Sequence, residues 1–136
     1  MTNHEQNKLE ISNLTLTVLE DTFTIHKFVP SASIPEAVSD CSFYSVSRTM
    51  DELSLVCPED LSVQSEKNSS NWKCLKVAGP LDLNLTGLIA GLSDTLEKAK
   101  ISIFVISTFE TDYLLIQKEK LETAKSALKS AGYMFE

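Results

Sequence analysis

Leu85-Thr86-Gly87-Leu88-Ile89-Ala90-Gly91-Leu92-Ser93-Asp94-Thr95-Leu96-Glu97-Lys98-Ala99-Lys100, followed at once by Ile101-Ser102-Ile103-Phe104-Val105-Ile106, changes its hydrophobic period once. That change decides the fold class. In the first part Leu85, Leu88, Ile89, Leu92, Leu96 and Ala99 fall on one face of a helix. Thr86 stands where an N-cap side chain is wanted, and Lys98 and Lys100 lie where positive charge suits the helix dipole. The β-branched and aromatic run Ile101–Ile106 predicts a central strand covered on both faces.

Reading outward, Tyr113-Leu114-Leu115-Ile116 predicts another strand. Leu121, Ala124, Leu128 and Ala131 define a second amphipathic helix, with Gly132 in the C′ place that ends it. Tyr133-Met134-Phe135 predicts a short last strand, and Trp72 to Val77 a first one that stops at Gly79-Pro80. The second half therefore runs β-α-β-β-α-β, the ferredoxin-like order.

The first half reads as a reduced copy. Leu14-Thr15-Leu16-Thr17-Val18 and Phe23-Thr24-Ile25-His26-Lys27-Phe28 alternate with period two around the polar break Glu20-Asp21-Thr22, which predicts a hairpin. Pro30 and Pro35 bracket a loop with one helical turn around Ile34 to Val38. Two further strands, Phe43–Ser47 and Leu53–Cys57, flank Arg48-Thr49-Met50-Asp51-Glu52, with Pro58 ending the second. Ser62 to Asn71 is polar throughout, and Asn68-Ser69-Ser70-Asn71 is the clearest linker signal. The expected class is α+β with antiparallel sheets and helices on one face. Residues 1–12 are a polar tail, 13–66 a reduced lobe and 71–136 a complete lobe. The two lobes share a core, because neither could bury much surface alone.

Composition narrows the function. The chain has 136 residues, a hydrophobic fraction of 43% and a formal charge of -7, with Arg48 as its single arginine. A phosphate-binding surface needs a basic stripe, so no nucleic-acid partner is expected, and an anionic membrane surface is equally unsuited. No run is apolar for long enough to span a bilayer, and Met1–Ser12 lacks the basic-then-apolar order of a signal peptide. Cys41, Cys57 and Cys74 form no CxxC pair, so neither disulfides nor a metal site is expected, and Cys57 and Cys74 read as small core residues. The expected location is cytoplasmic. There is no G-x-S-x-G, no phosphate-cradling G-x-x-x-x-G-K, no H-E-x-x-H and no dinucleotide fingerprint. His26 stands alone on an alternating strand, expected at the surface. Neither an enzyme nor a cofactor is expected.

Two stretches carry a resemblance. One is Arg48-Thr49-Met50-Asp51-Glu52-Leu53-Ser54-Leu55-Val56-Cys57. The other runs from Val77-Ala78-Gly79-Pro80-Leu81-Asp82 through Gly87-Leu88-Ile89-Ala90 to Ile106-Ser107-Thr108-Phe109-Glu110-Thr111-Asp112-Tyr113-Leu114-Leu115. Together they resemble the tandem ACT-domain family, which includes small bacterial ACT proteins and the cytosolic arginine sensor of animal cells. The resemblance implies two ferredoxin-like ACT lobes that bind a free amino acid at an interface between lobes, usually in a homodimer, and act on an unidentified regulated protein. Asp82, Gly87 and Leu88 match the family's loop and helix start, while Thr108, Phe109, Glu110 and Asp112 match the segment after its second strand. Thr86 joins them from its cap position alone. The first half shows no full set of matching ligand residues.

Physical chemistry gives each residue two roles. Free N–H groups at a helix start suit a carboxylate, Gly87 lets a ligand approach its backbone, and Asp82 or Asp112 could accept from an ammonium. Gly87 and Gly91 equally suit close packing of the helix on the sheet. Thr108–Asp112 equally suits a plain hairpin connection, and Asp82 a turn. Arg48 with Asp51 and Glu52 reads as a local ion pair, and Trp72 as a core or interface anchor. The leading expectation is an amino-acid sensor. The alternative is an ACT-fold interaction module that has lost its ligand. A ferredoxin-like hydrolase of the acylphosphatase type would need an arginine in a phosphate loop, and Arg48 precedes an acidic stretch instead.

Overall fold

The computed structural model describes residues 14–77 and 87–136. Its strands are β1 (Thr15–Phe28), β2 (Ser45–Arg48), β3 (Leu53–Pro58), β4 (Lys67–Val77), β5 (Phe104–Ser107), β6 (Asp112–Gln117) and β7 (Met134–Phe135). The helices are α1 (Leu88–Lys98) and α2 (Leu121–Ser130), with 3-10 turns at Glu36–Asp40 and Lys118–Lys120. Contacts divide the chain into two compact units. One is Glu20–Trp72, and the other joins Met1–Leu19 to Lys73–Glu136. The division falls inside β1 and β4, so both strands contribute to both units.

The discontinuous unit carries β4-α1-β5-β6-α2-β7 in chain order, as the periodicity predicts. Leu88, Leu92 and Leu96 of α1 and Ala124 and Leu128 of α2 bury into one cluster with Leu75, Val77, Leu114 and Ile116. Alternation along the strands puts those four residues on one sheet face, and both helices cover it. Three features differ from the expectation. The run Ile101–Ile106 is no central strand: β5 starts only at Phe104, pairs with β6 and lies at the sheet's end. Ile101 instead closes α1, because its N–H reaches the Leu96 carbonyl at 2.9 Å. The sheet is not purely antiparallel either. β7 pairs in parallel with the start of β1, Thr15 opposite Met134.

Both helices end alike. Ile101 N–H bonds Leu96 O and Lys100 N–H bonds Glu97 O; in α2, Tyr133 N–H bonds Leu128 O and Gly132 N–H bonds Lys129 O. These are two Schellman motifs, each sealed by a buried apolar pair. The C′ residue must be left-handed, and Gly132 sits at φ 104 while Lys100 sits at φ 61. A Cβ there is disfavoured by roughly 1–2 kcal/mol. Gly132→Ala is therefore expected to lower stability by about 1 kcal/mol, and Lys100→Gly to leave it unchanged or raise it. Urea denaturation of the two variants checks both signs, and a destabilised Lys100→Gly would contradict this account.

In Glu20–Trp72, β3 lies between β2 and β1, with Val46 opposite Leu55 and Phe28 opposite Leu53. Phe28, Val38, Leu53, Leu55 and Cys57 form its core cluster. The predicted hairpin at Glu20-Asp21-Thr22 is absent, because β1 is one continuous 14-residue strand. Glu20 and Asp21 simply hold their side chains outward. The predicted linker Asn68–Asn71 is likewise strand, within β4, with Asn71 at φ 66. A strand needs backbone partners more than apolar side chains, and β4 has β1 beside it. The helical turn expected near Ile34–Val38 is a 3-10 turn set two residues later by Pro35.

Candidate functional site

Gly87 begins α1. It occupies the N-cap position at φ 81, ψ 1, and among the described residues no side chain caps the helix. A left-handed residue before a helix is natural for glycine, so the cap position belongs to Gly87. Thr86 and Asp82 lie outside the described residues. Leu88 packs its side chain into the core, which leaves only its backbone N–H for a ligand.

Thr108, Phe109, Glu110 and Asp112 come together in one tight turn joining β5 to β6. Thr108 N–H donates to Thr111 O at 2.8 Å, its hydroxyl donates to the same carbonyl at 3.0 Å, and Ser107 faces Asp112 across the ladder. The segment is thus a hairpin connection in local structure. Phe109 stands at its tip with 77% of its surface exposed, where it contributes nothing to a core. Glu110 is exposed and Asp112 half-buried.

Several polar residues behave differently from their sequence reading. Arg48 makes no ion pair with Asp51 or Glu52; its guanidinium donates to the carbonyls of Pro30 and of Ala32, the latter at 2.8 Å. Arginine presents several donors in a fixed fork, which lets it hold two carbonyls of one loop. His26 is not at the surface but 5% exposed, with Nδ1 2.8 Å from Ser65 Oγ. Ser65 Oγ donates to Lys67 O at 3.0 Å, so the hydroxyl accepts from the ring's Nδ1–H. Burial lowers the His26 pKa from its ordinary 6.5. Alternating apolar and polar residues could not announce this, because the buried face of β1 here includes Thr24 and His26. Trp72 is half-buried and donates to Ser69 Oγ at 3.0 Å.

Cys57 and Cys74 are fully buried, and burial pushes their thiols up to about 11 and about 12. Both are therefore protonated core residues, poor nucleophiles at neutral pH. Among the described residues no group of three or more His, Cys, Asp or Glu side chains could hold a metal ion. No helix among them is long and apolar enough to cross a membrane.

Known proteins share this fold. Residues 68–130 match the ACT domain. A protein of Agrobacterium tumefaciens, Atu0741, is 33% identical, with 91% of this chain and 92% of that one covered at a TM-score of 0.84. The second half of this chain carries an ACT domain. Residues 21–64 match a second family pattern, that of an N-terminal domain. VC0802 of Vibrio cholerae, described as a protein of unknown function and possible transport protein, shares the fold at a TM-score of 0.71 and 19% identity, over 96% of this chain and 99% of that one. So does the ligand-free regulatory subunit of aspartate kinase from Thermus thermophilus, at 0.59 and 11%, over 85% and 95%. The ACT match spans β4 to the end of α2, and both Gly87 and the Thr108–Asp112 turn lie inside it.

Proposed function

We propose that this ACT-domain protein is a regulatory sensor rather than an enzyme. It binds a free amino acid at an interface between ACT lobes of two copies and passes the signal through its assembly to a regulated protein. On this reading the protein works in the cytoplasm as a homodimer, and Glu20–Trp72 serves as a reduced ACT-like lobe.

The observation that carries the reading is the start of α1. With Gly87 at the cap and no capping side chain among the described residues, the first-turn N–H groups suit a ligand carboxylate. Leu88 would contribute its N–H, while Asp82 and Thr86 flank this start in sequence. Thr108, Glu110 and Asp112 would supply acceptors for the ligand's ammonium, and Phe109 an apolar cover. The family match and the fold likeness to an aspartate kinase regulatory subunit support a sensing role.

Thermal melting with a panel of free amino acids tests it. A true ligand at a hundredfold excess over its Kd is expected to stabilise the protein by about 2.7 kcal/mol, visible as a rise of several degrees. A ligand can shift the assembly only by its difference in affinity for the two states, so the same panel should alter dimer dissociation. The exposed Phe109 also fits the alternative, an ACT-fold interaction module without a ligand. That alternative predicts a flat response to every amino acid and a loss of partner binding in Phe109→Ala.

A further inference from the structure

Charge is divided unequally along the chain. Glu20–Trp72 holds nine acidic side chains and three basic ones, a net charge of -6 out of the -7 of the whole sequence. The same unit exposes apolar side chains in two neighbouring loops. Val29 and Ile34, after β1, are 53% and 44% exposed, and Met50, in the turn from β2 to β3, is 95% exposed. The register puts both loops at one end of the sheet, because Phe28 and Arg48 both lie opposite Leu53.

Exposed loops ordinarily move, yet the backbone here is held. Arg48 donates to the carbonyls of Pro30 and Ala32, which ties the first loop to the end of β2. Ala32 N–H donates in turn to Val29 O at 3.1 Å. In the second loop Thr49 N–H donates to Glu52 O at 2.9 Å, and Thr49 Oγ1 accepts from the N–H groups of Asp51 and Glu52, each at 3.1 Å. Val29, Ile34 and Met50 are thus presented on fixed backbone, so docking against them costs little loop ordering. Methionine's flexible, polarizable thioether adapts to varied apolar groups.

Acidic side chains border these three residues. Glu36 follows Ile34 by two positions, Asp51 and Glu52 follow Met50 directly, and Glu66 N–H meets Lys27 O at 3.0 Å. Glu36, Asp51 and Glu66 are exposed. The cations at this end are Lys27 and Arg48, and the second is engaged with the loop carbonyls.

We propose that this end of Glu20–Trp72 docks a basic segment of another protein, one that carries apolar side chains among lysines or arginines. The segment's apolar side chains lie on Val29, Ile34 and Met50, and its cations face the acidic border. Charge selects this occupant, because a symmetric contact between two copies would bring together two surfaces of net charge -6. The surface uses none of the residues proposed to hold an amino acid and stands without them.

The test titrates the ¹⁵N-labelled full chain with a blocked peptide of repeated lysine-leucine-lysine-glycine, read from amide shifts. Saturable shifts are expected at Val29, Ala32, Ile34, Met50, Asp51 and Glu52. Replacing the peptide's leucines by serine, or its lysines by glutamate, should weaken binding about tenfold or more. Met50→Ser and Asp51→Lys, each at an exposed position, should do the same with the fold unchanged, whereas Phe109→Ala should have no effect. Raising salt from about 0.05 M to about 0.5 M should weaken binding severalfold. Shifts scattered over the acidic surface and indifferent to Met50→Ser would show diffuse attraction and overturn the proposal. So would equal binding of the glutamate peptide or the absence of saturable shifts. Shifts at this end that grow with protein concentration alone would mark a contact between copies and sink it as well.

Discussion

Leu96→Ala is expected to remove about 2–5 kcal/mol of folding stability. Leu96 is 0% exposed in the cluster that joins α1, α2 and the sheet face of β4 and β6. Truncation removes three buried carbons and leaves a cavity that Leu92, Ile101, Leu114 and Leu128 cannot fill without moving whole elements. The same residue's carbonyl receives the Ile101 N–H, so α1's closing turn is anchored at the site of damage. Domains of this size have only about 5–15 kcal/mol in total. Urea denaturation should therefore show a much lower midpoint at a similar slope, while Leu96→Met, which conserves volume, should lose less than about 1.5 kcal/mol. A loss in Leu96→Ala of under half a kcal/mol, on the order of a surface substitution, would refute this packing account.

Acidification should weaken the protein through His26. Burial disfavours its imidazolium, so the folded pKa lies below the unfolded value of 6.5. The unfolded chain then takes up the proton first. The neutral ring's contribution is complete above pH 6.5 and is lost as pH falls through the lowered folded pKa. Comparing urea midpoints between about pH 7.5 and pH 5 should show this loss, and His26→Gln should flatten the slope in that window. Ser65→Ala, which leaves the buried Nδ1–H without its acceptor, should cost about 1–3 kcal/mol at neutral pH. An unaltered pH slope in His26→Gln would show that other groups set the acid response.

The candidate site was legible in part. Gly87 and the turn around Phe109 could be picked out because glycine before an apolar helix, and polar residues between two strands, are local signals. The Arg48 bonds to Pro30 and Ala32 and the His26–Ser65 pair were not. The partners of Arg48 and His26 lie 18 and 39 residues away, and no periodicity encodes which polar groups meet at that separation.

By itself the sequence determined the order β-α-β-β-α-β, the inward faces of α1 and α2, the stop at Gly132 and the place of Cys57 and Cys74 in the core. Each follows from hydrophobic period or from a single residue's conformational range, properties that act over one or two turns. Only the tertiary structure decided that β1 runs unbroken past Glu20 and Asp21, that polar Lys67–Asn71 is strand, that β5 is an edge and that β7 joins β1 in parallel. The physical reason is that a strand's backbone N–H and C=O groups are satisfied by another strand, often distant in sequence. Once that partner is present, exposed polar side chains are no obstacle, and a run of apolar ones is no guarantee.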